Sequence, residues 1–196
     1  MQDTFLPVRC ELTNVTGAAG THHLYQGSNS LIAEGSTAYL GVAQSQMTTV
    51  SGITLSSANT FYPVLSIRLK STALQGIVLP TFFQASTVDN TILFYKFIKN
   101  ATLTQGTWTD MLDSNSFSQY LESPASGTTA ISGGTVLDNG IIAGGGGGTG
   151  VHLNKDTLYQ LGRSSLGTIS DTLTLAVAAA NTNKSAIAAI TWIEQR

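Results

Sequence analysis

The sequence predicts an all-β protein, an antiparallel sandwich or barrel of short strands. Three observations carry that expectation. Apolar and polar residues alternate with period two in several segments. Clusters of Gly, Ser, Thr, Asn and Asp punctuate the chain between those segments. The helical period surfaces only at Thr107–Asp113, where Thr107 is placed to cap a single turn that sets Trp108 and Leu112 on one face.

Taken in order, the first strand candidate has Leu6, Val8, Cys10 and Leu12 on one face and Phe5, Arg9 and Glu11 on the other. In 64–70, Leu65, Ile67 and Leu69 alternate with Ser66, Arg68 and Lys70. In 92–99, Leu93, Tyr95 and Phe97 form the apolar face, and in 171–177 Leu173, Leu175 and Val177 alternate with Thr172 and Thr174. Each pattern fits a half-buried antiparallel strand. Turns are expected at Thr16–Gly20, Gly27–Ser30, Ser56–Asn59, Ser86–Asn90, Asp113–Ser116 and Ser123–Thr129. Asn181–Lys184 reads as a hairpin loop joining strands at 171–180 and 185–193. The alanines at 176–180 and 186–189 favour helix by propensity. Their flanks alternate and the turn between them is polar, so both are read as strands, with room for a neighbour to pack closely.

The chain divides at 62/63. Residues 1–62 are rich in Gly, Ser and Thr and poor in long apolar runs, whereas 63–196 carry the denser strand pattern. The first part is either an arm that embraces a partner or further strands of the same sandwich.

Charge is the unusual quantity. Only 10% of the 196 residues are charged, against about 25% in an ordinary soluble domain. A folded monomer of this size exposes roughly 8,800 Å², or about 440 Å² for each charge. Such a surface is kept wet by Ser, Thr, Asn and Gln, or is covered by partners. The net charge of -2 offers no basic stripe for phosphates, so nucleic acid is not expected as a partner. The longest apolar runs are far too short to span a bilayer as a helix, and the first residues lack a signal-peptide pattern. The single cysteine, Cys10, has no internal partner, which fits a chain made in a cytoplasm.

Residue types that carry chemistry do not assemble into a motif. Gly144–Gly148 is followed by Thr149-Gly150-Val151-His152, without the Lys of a phosphate loop or the helix of a dinucleotide fold. His22 and His23 point to opposite faces if they lie on a strand, and His152 stands apart from them, so no metal site is expected. Asp110, Asp113 and Glu122 read as loop carboxylates rather than a glycosidase pair, and no Gly-x-Ser-x-Gly occurs. The expectation is no catalytic residue and no cofactor.

One resemblance stands out. It runs through Phe61-Tyr62-Pro63-Val64-Leu65-Ser66-Ile67-Arg68-Leu69-Lys70, then Gly76–Pro80, Leu93–Phe97, Asn100–Thr104 and Thr107-Trp108. It continues through Ile131–Thr135 and Gly140–Ile142 to Asp171–Leu175 and Ala188–Glu194. In style this stretch resembles the β-rich virion structural proteins of tailed bacteriophages, which serve as capsid decoration (cement), head-fibre, neck or tail proteins. The likeness spans about residues 60–196 and brings no catalytic motif. It implies a jelly-roll-like sandwich, a homotrimer, a place in the virion, and the major capsid protein or other virion proteins as partners.

Two functions follow as expectations. The first is a passive particle component held by many weak symmetric contacts, with Phe5, Leu6 and Val8 helping to anchor it. The second is a receptor- or carbohydrate-binding module at a fibre or tail tip, with Trp108, Tyr120 and the Gly144–Gly150 loop as contacts.

Overall fold

The computed structural model describes residues 41–73, 76–87, 89–104, 106–123, 131–143, 149–152, 159–163 and 169–195, with backbone alone for 149–152. Leu40–Arg196 forms one compact unit. Its strands are β1 (Val42–Met47), β2 (Ile53–Leu55), β3 (Tyr62–Leu69), β4 (Ile77–Ser86), β5 (Leu93–Lys99), β6 (Thr102–Leu103) and β7 (Thr109–Asp110). They continue as β8 (Ser118–Glu122), β9 (Ile131–Ser132), β10 (Thr135–Ile142), β11 (Thr149–His152), β12 (Thr172–Ala179) and β13 (Lys184–Gln195). No helix occurs among the described residues.

The fold is an antiparallel β-sandwich. One sheet has the order β1-β13-β4-β11, with β2 also pairing β13, and the other runs β10-β5-β12-β3-β8-β7. A small ribbon pairs β6 with β9. The sheets meet through alternate side chains, as period-two strands require. Phe83 of β4 stacks on Phe97 of β5 with ring centroids 5.0 Å apart, and Tyr159 meets Phe97 edge-on. Leu65, Ile67, Leu173, Leu175 and Val177 from one sheet close over Ala186, Ala188, Ile190 and Trp192 from the other. The alternation in 64–70, 92–99 and 171–177 corresponds to β3, β5 and β12.

Two prolines fall inside interior strands, each beside a register shift. Pro63 precedes the shift that leaves Val64 unmatched opposite β12, and Pro80 precedes the unmatched Thr81 opposite β13. A bulge is where a strand tolerates a residue without an N–H. The Thr81 hydroxyl donates to the Thr191 carbonyl at 3.2 Å across that irregularity.

Two expectations are corrected. Asn181–Lys184 does not close a hairpin, because β12 and β13 belong to different sheets. Both edges of β12 are already taken, by β5 and β3. The loop is an arch from one layer to the other, and Asn183 turns it with φ 52. The helical turn at Thr107–Asp113 is absent as well. Thr109–Asp110 is a short strand on β8, the Asp110 carboxylate accepts from Gln119 Nε2 at 2.9 Å, and Trp108 is held 4.2 Å over the Arg68 guanidinium. One isolated turn closes too few hydrogen bonds to outweigh those contacts.

β1 and β2 lie before the 62/63 division, and both pair with β13. The strand expected at Leu6–Leu12 lies outside the described residues.

Residues 106–108 cover part of the six-stranded sheet's outward face. Trp108 lies over Arg68 there, and a Cβ at Gly106 would meet the Leu121 methyls at 2.8 Å. Beneath it, Ser66 and Thr174 share a hydroxyl hydrogen bond of 2.9 Å.

Candidate functional site

Two surfaces stand out, one on each sheet. The first is the outward face of β1, β13 and β4. Along β13, Ala186, Ala188, Ile190, Trp192 and Glu194 are buried, and Ile187, Ala189, Thr191 and Ile193 alternate with them on the other side. Register carries this alternation to the neighbours: Met47 lies opposite Ala189, Ser45 opposite Thr191 and Ala43 opposite Ile193 on β1. On β4, Gln84 is opposite Ala189 and Phe82 opposite Thr191. The only charged residues in these three strands are Lys184 and Glu194, and both take the inward parity of β13. The outward face of the three strands is therefore without a charge, and Met47 stands 50% exposed upon it.

Glu194 is used internally. It is 3% exposed and gathers donors from the segment before β8. The Ser116 hydroxyl donates at 2.6 Å, the Phe117 N–H at 3.1 Å, the Ser118 N–H at 3.2 Å and the Trp192 indole at 3.4 Å, with the Ser118 hydroxyl a further donor. Every one of these donors is neutral. The carboxylate ties the turn at 113–118 to β13.

The second surface is a cleft of about 470 Å³ on the outward face of β10, β5 and β12. Register explains it. Asn139, Lys96 and Ala176 lie in one cross-strand row, and Ile141, Phe94 and Ala178 in the next. Ala178 of β12 contributes no side chain beyond Cβ to its lining, and Phe94, Ile141 and Phe61 supply the apolar walls. Lys96 Nζ sits 4.2 Å from the Phe61 ring centroid. Among the described residues Lys96 has no carboxylate partner, unlike Lys70, Lys99 and Lys184, which pair with Asp110, Asp171 and Asp89. Gly140, on the same strand as Asn139, is required by Tyr95: an added Cβ would lie 2.6 Å from the tyrosine ring.

The residues singled out in the sequence are placed as follows. Trp108 and Tyr120 do not meet. Arg68, which Trp108 covers, has outward parity on β3, whereas Tyr120 is opposite the buried Ile67 and packs against the core. Asp110 is held by Gln119 and Lys70, the Asp113 carboxylate accepts from the Asn115 N–H at 2.9 Å, and Glu122 accepts from the Thr49 N–H at 2.7 Å. Each serves a local turn or strand contact. The backbone of Thr149–His152 is β11, with His152 opposite Phe82. Phe5, Leu6, Val8, His22, His23 and Gly144–Gly148 lie outside the described residues. Among the described residues no three His, Cys, Asp or Glu side chains gather to hold a metal ion.

No family model, curated protein or solved structure matches the chain.

The cleft residues were missed in the sequence, although a signal existed. Phe94 and Lys96 are the out-of-phase residues between inward Leu93, Tyr95 and Phe97. An aromatic at an outward strand position is unusual enough to mark. What alternation could not supply is that Phe61 and Asn59, some thirty residues away, border the same floor.

Proposed function

We propose that this protein is a non-enzymatic structural component of a particle, of the capsid decoration, cement or otherwise capsid-attached kind found in tailed-bacteriophage virions. It works by burying a neutral sheet face against copies of itself, as a homotrimer, or against the shell. The observation that carries the reading is the outward face of β1, β13 and β4, where no charged side chain opposes desolvation. Apolar surface removed from water contributes roughly 25 cal/mol per Å², and no ion has to be stripped of solvent in return.

Strand order supports a jelly-roll reading. Eight strands fall as β1-β13-β4-β11 facing β3-β12-β5-β10, and each link between consecutive ones crosses between the sheets except that from β5 to β10. That order supports the double Greek-key arrangement used by viral capsid and lectin domains. The order by itself assigns no function, so the reading rests on the face.

Light scattering on the size-fractionated full chain tests it, with sedimentation alongside intact particles. The expected result is a defined oligomer or particle-bound protein. Thr191→Lys, which sets a charge in the middle of the face, is expected to return a folded monomer that no longer co-sediments. A wild-type monomer that ignores particles overturns the reading.

The second reading, a receptor- or carbohydrate-binding fibre module, is favoured by the Lys96 cleft rather than by Trp108 and Tyr120.

A further inference from the structure

We propose that the cleft over β12 binds an acidic saccharide, with Lys96 holding the carboxylate of a uronic- or sialic-acid unit. This deepens the carbohydrate-binding reading and stands apart from the assembly reading, which uses the opposite sheet.

The argument starts from what surrounds the ammonium. A lysine without a counter-ion normally extends into water. Lys96 instead lies over the Phe61 ring at 4.2 Å and lines the cleft. The ring holds the cation at the cleft without using its N–H donors in an ion pair. Phe94, two residues away on the same face of β5, adds to the lining an apolar surface suited to the C–H face of a pyranose. Asn59 and Asn139 border the opening, and among the described residues their side-chain amides make no hydrogen bond. Carboxamides that both donate and accept suit vicinal hydroxyls. Asn59 is held at the rim by its backbone: it has φ 57, and its N–H donates to the Ala179 carbonyl at 2.8 Å.

The charge count selects the ligand. Among the described residues Lys96 is the one ionised side chain lining the cleft. One ammonium balances one carboxylate, whereas a nucleic-acid strand or a polyphosphate calls for several cations along its path. An apolar floor with a few convergent polar groups is the usual make-up of a small-ligand site, and about 470 Å³ lies in the size range of such sites.

The test is saturation-transfer NMR and titration of the full chain with oligogalacturonides and sialylated oligosaccharides, beside their methyl-esterified and asialo counterparts. The acidic forms are expected to bind and the neutral forms to bind weakly or not at all. Lys96→Met, which keeps the stem and removes the charge, is expected to cost about tenfold or more in affinity with the folded spectrum unchanged. Asn139→Ala is expected to weaken binding, and Leu112→Ala, at a fully exposed position outside both surfaces, to leave it unaltered. Equal affinity for neutral and acidic forms, or full affinity in Lys96→Met, overturns the acidic assignment while sparing the carbohydrate reading. Displacement by acetate or inorganic phosphate at the same concentration overturns it as mere anion binding. Absence of binding to any saccharide at millimolar concentration overturns both.

Discussion

Asp171 shows how the few ionised groups are used. Burial pushes its carboxyl up, but hydrogen bonds from Asn100, Lys99 and the Gly162 N–H, together with the Lys99 charge, hold it below the ordinary aspartate value. Asn100 Nδ2 lies at 2.8 Å and Lys99 Nζ at 3.0 Å. The folded protein therefore binds this proton less tightly than the unfolded chain. The stabilisation is present above the unfolded value, near pH 4, and is lost as pH falls through the lower folded value. Asp171→Asn is expected to cost about 1 kcal/mol at neutral pH, given the partial exposure of the pair. The gap between variant and wild type should narrow in urea unfolding as pH drops below about 4. At this scale the sequence was only partly legible. Lys99 and Asp171 are far apart in the chain, and their pairing depends on β5 and β12 being neighbours.

Among the elements, strands were legible and partners were not. Alternation names the two faces of β3, β5 and β12, because side chains on a pleated strand point to opposite sides. It says nothing of which strand lies alongside. The polar Asn181–Lys184 loop between two alternating segments reads as a hairpin, yet the same pattern serves an arch between layers. The out-of-phase alanines Ala176 and Ala178 look solvent-facing by period and are nearly inaccessible. The Thr107–Asp113 turn failed for a related reason, since cross-strand contacts to Gln119 and Arg68 were invisible in the chain. Glu194 was equally hidden: its charge carries no sign of burial, but register puts it opposite Val78 on the inner face. Glu194→Ala would remove an acceptor shared by five buried donors, of which the Trp192 indole keeps the Ser118 hydroxyl and the Ser118 N–H keeps the Ser116 hydroxyl. The expected loss is about 3 kcal/mol or more, a fall of roughly 6–12 °C in Tm by calorimetry. Ser118→Ala should cost less, because Ser116 and two N–H groups keep the carboxylate engaged.

Across the whole molecule, charge is segregated as well as scarce. Arg68, Lys96, Lys99, Glu122 and Asp138 belong to the six-stranded sheet, while the outward face of β1, β13 and β4 has none. The total was legible in the composition and the segregation was not, because it depends on Lys184 and Glu194 both having inward parity. Association through such a face should respond to salts in a particular way. An about tenfold rise in sodium chloride should leave self-association or particle attachment unchanged, since no ion pair is there to be screened. Sulfate, which strengthens apolar burial, should tighten it. Light scattering across the two salts measures this, and a steep loss in sodium chloride alone would point to a charged interface.

The central place of β13 has a consequence for how the chain acquires its shape. This strand joins β1, β2 and β4, yet it is translated after all of them. While the earlier strands emerge from the ribosome, β1 and β4 have no shared partner, and each exposes an unsatisfied edge open to strands of neighbouring nascent chains. Closure of the sheet waits for residues 184–195 and then joins segments some 140 positions apart, which makes for slow folding with long-range contacts. Dense polysomes are the setting in which such a chain is most exposed to error.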